Sequence, residues 1–284
     1  MDESATTSSK ELLFKRIKHI VGDQEEMKKV RSDYEKTFSS LKVKEPEKLV
    51  ALMVEIMQKA DTLESMHRGI HGLFGYFPTF DGNSFLDALP QMFHKRVKKI
   101  MSQILPHLQG MEIVCDYGAG KGDLAKLVAD NKGRFVEAWD VISFPNEKTA
   151  YPVQIFDGYK LPVDDKAYQC TYFTNVLHHI ADNEKAMGEI SRVTGVRLIM
   201  VETVSEGKTK QEIAEDWSRT FMNDVLWNTL FNHIDTPVPG TYDTGEKWIK
   251  RFQRYGWKCT YYQDLGYDQE SIRDRHIIAV FERQ

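Results

Sequence analysis

Cysteine is scarce in this chain: Cys115, Cys170 and Cys259 stand far apart in 284 residues, and no Cys-x-x-Cys pair occurs. That usage argues against a disulfide framework or a zinc ribbon. Long apolar runs are missing too, and no stretch approaches the roughly 18 uninterrupted apolar residues of a membrane span. Residues 1–9 are polar, without the apolar core of a secretory signal. Neither sign of charge dominates. Lys and Arg number 38 against 42 Asp and Glu, a net charge of −4, so nothing pulls the whole chain towards nucleic acid. These absences leave an intracellular, cytoplasmic setting without membrane attachment as the expectation. The 41% hydrophobic and 28% charged residues are ordinary for a globular protein long enough to bury a sizeable core.

Residues 1–9 read as a disordered tail. Apolar positions then recur at helical spacing: Leu13, Ile17 and Ile20; Met27, Val30, Tyr34, Phe38 and Leu41; Leu49, Met53, Ile56 and Met57. Two or three helices are therefore expected between residues 10 and about 65. Residues 66–83 mix glycine and proline with His67, His71, Phe74, Tyr76, Phe77 and Phe80, and read as an aromatic-rich loop or broken helix. The aromatics from Phe74 to Phe85 suit the rim of a substrate pocket or a core beneath a lid. Another helix places Phe93, Val97, Ile100 and Ile104 on one face and the basic run from His94 to Lys99 on the other.

From residue 112 strands alternate with helices. Strands are expected at 112–117, 134–141, 153–156, 168–174 and 197–203. A helix capped by Asp182 precedes the fifth strand, and a long helix with Ile213, Trp217, Phe221 and Val225 follows it. A last helix holds Trp248, Ile249, Phe252 and Tyr255 and stops at Gly256. Two closing strands, 258–264 and 276–282, have no helix between them. Strands separated by helices predict a doubly wound α/β sheet, parallel apart from its closing hairpin. The organisation expected is a helical N-terminal region over 10–105 and a sheet domain over 106–284, with a helical insertion at about 205–245.

The first strand runs into Asp116-Tyr117-Gly118-Ala119-Gly120-Lys121-Gly122, with an amphipathic helix directly after it. Glycines let a backbone turn sharply and approach a ligand closely, and a helix N-terminus offers unpaired N–H groups. Ligands of doubly wound sheets sit outside the carboxyl ends of the strands. The residues to inspect are that turn, Asp140 after strand two, Asp157 after strand three, and Asn175 to His179 after strand four. A carboxylate at Asp140 suits two ribose hydroxyls. Asp157 suits an exocyclic amino group, or caps the turn into Leu161-Pro162.

In this pattern the chain resembles the class I S-adenosylmethionine-dependent methyltransferases, in their small-molecule branch. The likeness rests on the glycine turn, Asp140, Asp157-Gly158-Tyr159-Lys160-Leu161-Pro162, Asn175-Val176-Leu177-His178-His179 and Glu189-Ile190-Ser191-Arg192-Val193. It covers roughly residues 110–204. The resemblance implies a Rossmann-like seven-stranded mixed sheet and S-adenosyl-L-methionine as cofactor. It sets Gly118, Gly120 and Gly122 against the methionine part, Asp140 on the ribose, Asp157 on the adenine amino group and Asn175 near the sulfonium. Asp116, Ala119, Val141, Gly158 and Val176 complete the implied cofactor set. One departure is Thr194-Gly195-Val196, which stands where the family has an acid-Gly-Gly turn and makes the entry to strand five short.

The reaction expected is in-line methyl transfer to an N, O, S or C nucleophile of a small molecule, driven by alignment and exclusion of water. His179, His178 and Glu202 are the candidate bases, with His233, Tyr242 and His276 behind them. Three other readings stay open at this level: an RNA cap or ribose methyltransferase, suggested by the basic run; an NAD-dependent oxidoreductase, whose Gly-x-Gly-x-x-Gly fingerprint is broken by Asp123; and a non-catalytic methyltransferase-like partner. His67 and His71 are four apart, but no Glu, Asp or Cys nearby completes a metal set, and no metal is expected. Oligomeric state is left open.

Overall fold

The fold begins from two periodicities, a helical one up to residue 104 and a strand–helix alternation after it. The computed structural model describes residues 9–77, 85–131, 133–144, 149–205, 207, 209–231, 233–269 and 272–284. The tail expected over 1–9 lies outside them except for Ser9, which already belongs to the first helix. The chain divides into two compact units. One contains Met1–Pro90, Ser205–Gly240 and Tyr267–Asp274; the other contains Gln91–Val204, Thr241–Gly266 and Arg275–Gln284.

The elements run in the order α1 (Ser9–Gly22), α2 (Gln24–Ser40), α3 (Pro46–Lys59), α4 (Leu63–Phe74), α5 (Phe85–Ile104), β1 (Ile113–Tyr117), α6 (Asp123–Asp130), β2 (Phe135–Asp140) and β3 (Val153–Ile155). There follow β4 (Tyr168–Thr174), α7 (Asn183–Val193), β5 (Thr194–Thr203), α8 (Lys210–Asp224), a π-helical turn (Val225–Leu230), α9 (Gly245–Gln253), β6 (Trp257–Gln269) and β7 (Ile272–Arg283). No helix of the described residues is long and apolar enough to cross a membrane.

In the helical unit each apolar stripe is buried as its spacing requires: Ile17, Val30, Phe38, Leu49, Met53, Met57, Ile70 and Phe74 are sealed from water. The insertion co-folds with the N-terminal helices. Tyr34 donates its hydroxyl to the Met222 carbonyl at 2.6 Å, and the Phe74 and Phe231 rings meet edge-on at 4.4 Å. Arg219 and Asp33 form a two-pronged ion pair. Of the stretch expected as an aromatic-rich loop or broken helix over 66–83, the part as far as Phe74 is helix, and Thr62 and Ser65 cap its start reciprocally. Gly69 sits within it because the chain packs closely there: a Cβ would lie 2.9 Å from Ile56 Cγ2. The pocket-rim aromatics divide. Phe74 is core and Tyr76 is exposed, while Phe80 and the side chain of Phe85 lie outside the described residues.

The other unit is a seven-stranded sheet in the order β3-β2-β1-β4-β5-β7-β6. All pairings from β3 to β5 are parallel, and β5 pairs antiparallel with β7. This is the mixed, Rossmann-like arrangement expected. Alternate residues of β5 serve opposite faces: Leu198 and Met200 join Ile190, Trp248 and Phe252, whereas Ile199 and Val201 join Ile104, Leu124 and Val128. Apolar residues of the central strands are therefore buried on both faces of the sheet. Strand β5 starts three residues earlier than the apolar pattern suggests. The Thr194 hydroxyl bonds the Ile190 carbonyl at 2.7 Å, and the chain passes from α7 into the strand with no loop.

Candidate active site

The carboxyl ends of β1, β2 and β4 converge on the glycine turn. Gly118 leaves β1 at φ 80° and donates to the Trp139 carbonyl at 2.8 Å, and the Ala119 N–H shares that carbonyl at 3.0 Å. A Cβ on Gly118 would lie 2.5 Å from Val176 Cγ2, so the β1 and β4 ends touch there. Gly122, at φ 79°, begins α6 and lies against the Tyr151 backbone. Gly120 differs: its φ is 56° and a Cβ would meet nothing within 4 Å. The loop thus presents bare backbone to open space at Gly120.

Asp140 closes the loop. Its Oδ2 accepts the Gly120 N–H at 2.7 Å and its Oδ1 the Ile142 N–H at 2.8 Å. An ionised carboxylate has about four acceptor positions, so each oxygen keeps one for a ligand. After β3, Asp157 Oδ1 accepts from the Tyr159 and Lys160 N–H groups at 2.8 and 2.7 Å, which holds its carboxyl below the usual range. Both sequence readings of Asp157 meet here, since it caps the turn and keeps a second oxygen. Gly158 packs beside Val141, and its carbonyl takes the Tyr117 hydroxyl at 2.8 Å. The Glu189–Arg192 pair fastens the next segment: Glu189 accepts the Leu161 N–H at 2.7 Å, and Arg192 donates to the Val163 carbonyl at 2.9 Å.

Asp116, the penultimate residue of β1, is sealed from water, yet neither carboxyl oxygen has a hydrogen-bond partner of good geometry among the described residues. Burial pushes its carboxyl up to about 8. The nearby Tyr172 hydroxyl offsets part of that rise, and the charge of Asp140 adds to it. Tyr172 stands opposite Asp116 in the β1–β4 register, and its own hydroxyl is also unsatisfied. Sequence reading missed Tyr172, because register between strands leaves no local signal.

After β4, Asn175 adopts φ 55°, a conformation costly for a side-chain-bearing residue. Its N–H donates to the Val201 carbonyl at 2.8 Å, its Oδ1 accepts the Thr203 hydroxyl at 3.3 Å, and its buried Nδ2 has no hydrogen-bond partner among the described residues. Val176 and the turn Leu177–His179 follow. Glu202 does not stand open as a base. Its Oε2 accepts the Val176 and Leu177 N–H groups at 3.2 and 2.9 Å, and its Oε1 meets His178 Nδ1 and the Thr203 N–H. Its side chain is wholly buried. His178 is buried too, its ring tilted against that of His179 at 4.1 Å and stacked on Tyr242 at 5.4 Å. Only His179 of the three stays half-buried. His276 is buried opposite Thr203, and His233 belongs to the helical unit. The His67 and His71 rings lie tilted against each other at 4.4 Å on α4, and burial lowers the pKa of both.

A glycine cradle with a carboxylate after each of the two neighbouring strands suits a nucleoside-bearing ligand. Residues 115–196 match the sequence model of a family described as a methyltransferase domain. The matched segment holds the glycine turn, Asp140, Asp157 and Asn175 to His179, and ends before Glu202. No curated protein matches the chain. Among solved structures, a geranyl diphosphate methyltransferase in complex with GPP and sinefungin is similar at 12% identity and a TM-score of 0.50, over 66% of this chain and 77% of that one. The [4+2]-cyclase SpnF is similar at 13% identity and a TM-score of 0.49, over 65% of this chain and 80% of that one. Geranyl diphosphate C-methyltransferase from Streptomyces coelicolor A3(2) aligns at 12% identity and 0.49, over 68% and 82%. At such identity these likenesses speak to the fold of the methyltransferase domain alone.

Proposed function

We propose that the chain is an S-adenosylmethionine-dependent methyltransferase acting on a small molecule. The observation that carries this reading is the combination of the open backbone at Gly120 with the unpartnered, buried carboxyl of Asp116 at the root of the same loop. Buried polar groups are normally paired, so an orphan beside a cradle marks a place for a ligand group. The chemistry supplied by bound S-adenosylmethionine is an activated methyl group open to in-line attack by an N, O, S or C nucleophile.

The chain's own residues then divide the work. The backbone from Gly118 to Gly122, with Ala119 within it, lies against the methionine part. Asp140 accepts the ribose hydroxyls with the acceptor positions left over from Gly120 and Ile142. Asp157 takes the adenine amino group, with Val141 and Gly158 bordering the ring. Asn175 and Val176 wall the reacting end. His179 takes the acceptor's proton where the nucleophile carries one, on a turn that Glu202 and His178 hold in place. One solved structure similar to this fold is titled as a geranyl diphosphate methyltransferase, which supports a small-molecule acceptor.

The test is transfer of label from methyl-labelled S-adenosylmethionine to pools of small molecules bearing phenol, carboxyl, amine or thiol groups, with total RNA in parallel. Label in a small-molecule pool supports the proposal. Label in RNA alone overturns the acceptor class and leaves the cofactor reading in place.

A further inference from the structure

Two imidazoles of the helical unit have no task in the site described above. His67 and His71 lie four apart on α4, so their side chains share one face of the helix. Their ring centroids are 4.4 Å apart, with 36° between the ring planes. Metal–nitrogen bonds of about 2.0–2.1 Å set two ligands of one tetrahedral ion roughly 3.3 Å apart, a span this pair of rings can reach. The Leu230 carbonyl, at the end of the π-helical turn, favours a proton on the His71 ring, whose buried Nε2 has no hydrogen-bond partner among the described residues. That proton therefore sits on Nδ1, and the Nε2 lone pair is left over. A backbone carbonyl facing the other nitrogen is the usual device that fixes the tautomer and orientation of a ligating histidine. His67 is half-buried and leaves a way in from solvent. A third imidazole, His233, is close enough to His67 for their charges to interact. Asp235 lies 3.7 Å from His233 Nδ1 and is itself ion-paired with Lys10.

We propose that His67 and His71 form a two-imidazole chelate for a late first-row divalent cation such as Zn2+. Neutral imidazole nitrogen suits zinc, copper and nickel, whereas Mg2+ and Ca2+ take oxygen ligands. Burial holds both rings below the usual imidazole range, so at neutral pH their lone pairs do not have to be freed from protons. Two nitrogen–metal bonds form, two metal-bound waters leave, and Nδ1 of His71 keeps its proton. The ion then bridges adjacent turns of α4 beside Leu230. In the sequence a metal was set aside because no Glu, Asp or Cys stands near the pair. The structure brings in what spacing could not show, the Leu230 carbonyl and the His233 imidazole, both from the insertion. Neither ligand belongs to the glycine cradle, and the assignment is independent of the methyltransferase reading.

Calorimetric titration of the purified chain with zinc chloride, at neutral pH in a buffer that does not chelate the ion, tests the assignment. The expected result is saturable Zn2+ binding, with none for magnesium chloride titrated in the same way. His67→Gln and His71→Gln each weaken Zn2+ binding about tenfold or more, because one imidazole cannot chelate. Melting curves give a second readout: Zn2+ raises the wild-type melting temperature and leaves that of either variant close to its metal-free value. The half-buried His67 makes His67→Gln the milder change, and it decides the matter alone where His71→Gln does not fold. Absence of Zn2+ binding by folded wild-type protein, or unchanged Zn2+ affinity in either folded variant, overturns the proposal. Both results leave the cofactor assignment standing, since no cofactor takes part in the titration.

Discussion

His178 Nδ1 meets Glu202 Oε1, with both side chains buried. The same carboxylate accepts the N–H groups of Val176, Leu177 and Thr203, so Glu202 ties the end of β5 to the turn that follows β4. The turn bears Asn175 at a positive φ, and a strained residue persists only where its surroundings over-determine it.

Glu202→Ala removes the acceptor of the buried Val176 and Leu177 N–H groups and the carboxylate that meets the His178 ring. The expected loss of stability is on the order of 3–5 kcal/mol, and Glu202→Gln, which keeps one carbonyl oxygen, is expected to lose about 1–2 kcal/mol. Urea unfolding measures both. A loss from the alanine variant no larger than that from the glutamine variant contradicts the positioning role.

Two glycines of the loop are expected to respond in opposite ways. Gly118→Ala drives a methyl into Val176 Cγ2 at 2.5 Å, with Cγ1 at 3.0 Å, in a left-handed conformation. That combines about 1–2 kcal/mol of backbone cost with about 1–3 kcal/mol of overpacking, and the melting temperature drops accordingly. Gly120→Ala meets no neighbour within 4 Å, so thermal unfolding shows only the backbone cost. Its methyl instead occupies ligand space, and S-adenosylhomocysteine affinity falls about tenfold or more. Equal thermal losses with equal affinities contradict the assignment of Gly120 to the ligand face.

The legible and illegible parts of the molecule divide along physical lines. Period-two and period-3.6 patterns located the seven strands and the major helices, because each element buries one stripe or two faces. The glycine turn, Asp140, Asp157 and the residues after β4 lie together because parallel strands bring their carboxyl ends to one edge of the sheet. What depends on pairing at a distance was not legible. Arg219 and Asp33 are 186 residues apart, and nothing local links the N-terminal helices to the insertion. Likewise, Glu202 and His178 read as rival bases, because sequence cannot show that one is spent on holding the other. The helix through Gly69 and Gly72 was hidden by composition and revealed by a cap at Thr62 and a tight approach to Ile56.

Asp116 makes stability depend on pH. Its carboxyl titrates at about 8 in the folded chain, above its ordinary value of 3.8. Between those values the unfolded chain has lost this proton and the folded chain has kept it, so the folded state loses ground as pH rises. Asp116→Asn removes the effect. Its stability relative to wild type is expected to increase from about pH 5 to pH 8, by on the order of 1 kcal/mol per pH unit, as read from denaturant midpoints. A difference that stays constant across that range contradicts the raised carboxyl.

Asp140→Ala removes the acceptor of the Gly120 and Ile142 N–H groups together with the proposed ribose contact. S-adenosylhomocysteine affinity is expected to weaken by about 1–3 kcal/mol, with a fall in thermal stability from the two lost backbone hydrogen bonds. Unchanged affinity in the folded variant removes the ribose role.

The account stands or falls on the cofactor. The most direct measurement is calorimetric titration of the purified wild-type protein with S-adenosylhomocysteine, with NAD as the control. The account predicts saturable one-to-one binding of S-adenosylhomocysteine in the micromolar range and no heat from NAD. Binding of NAD alone, or of neither ligand by folded protein, contradicts it.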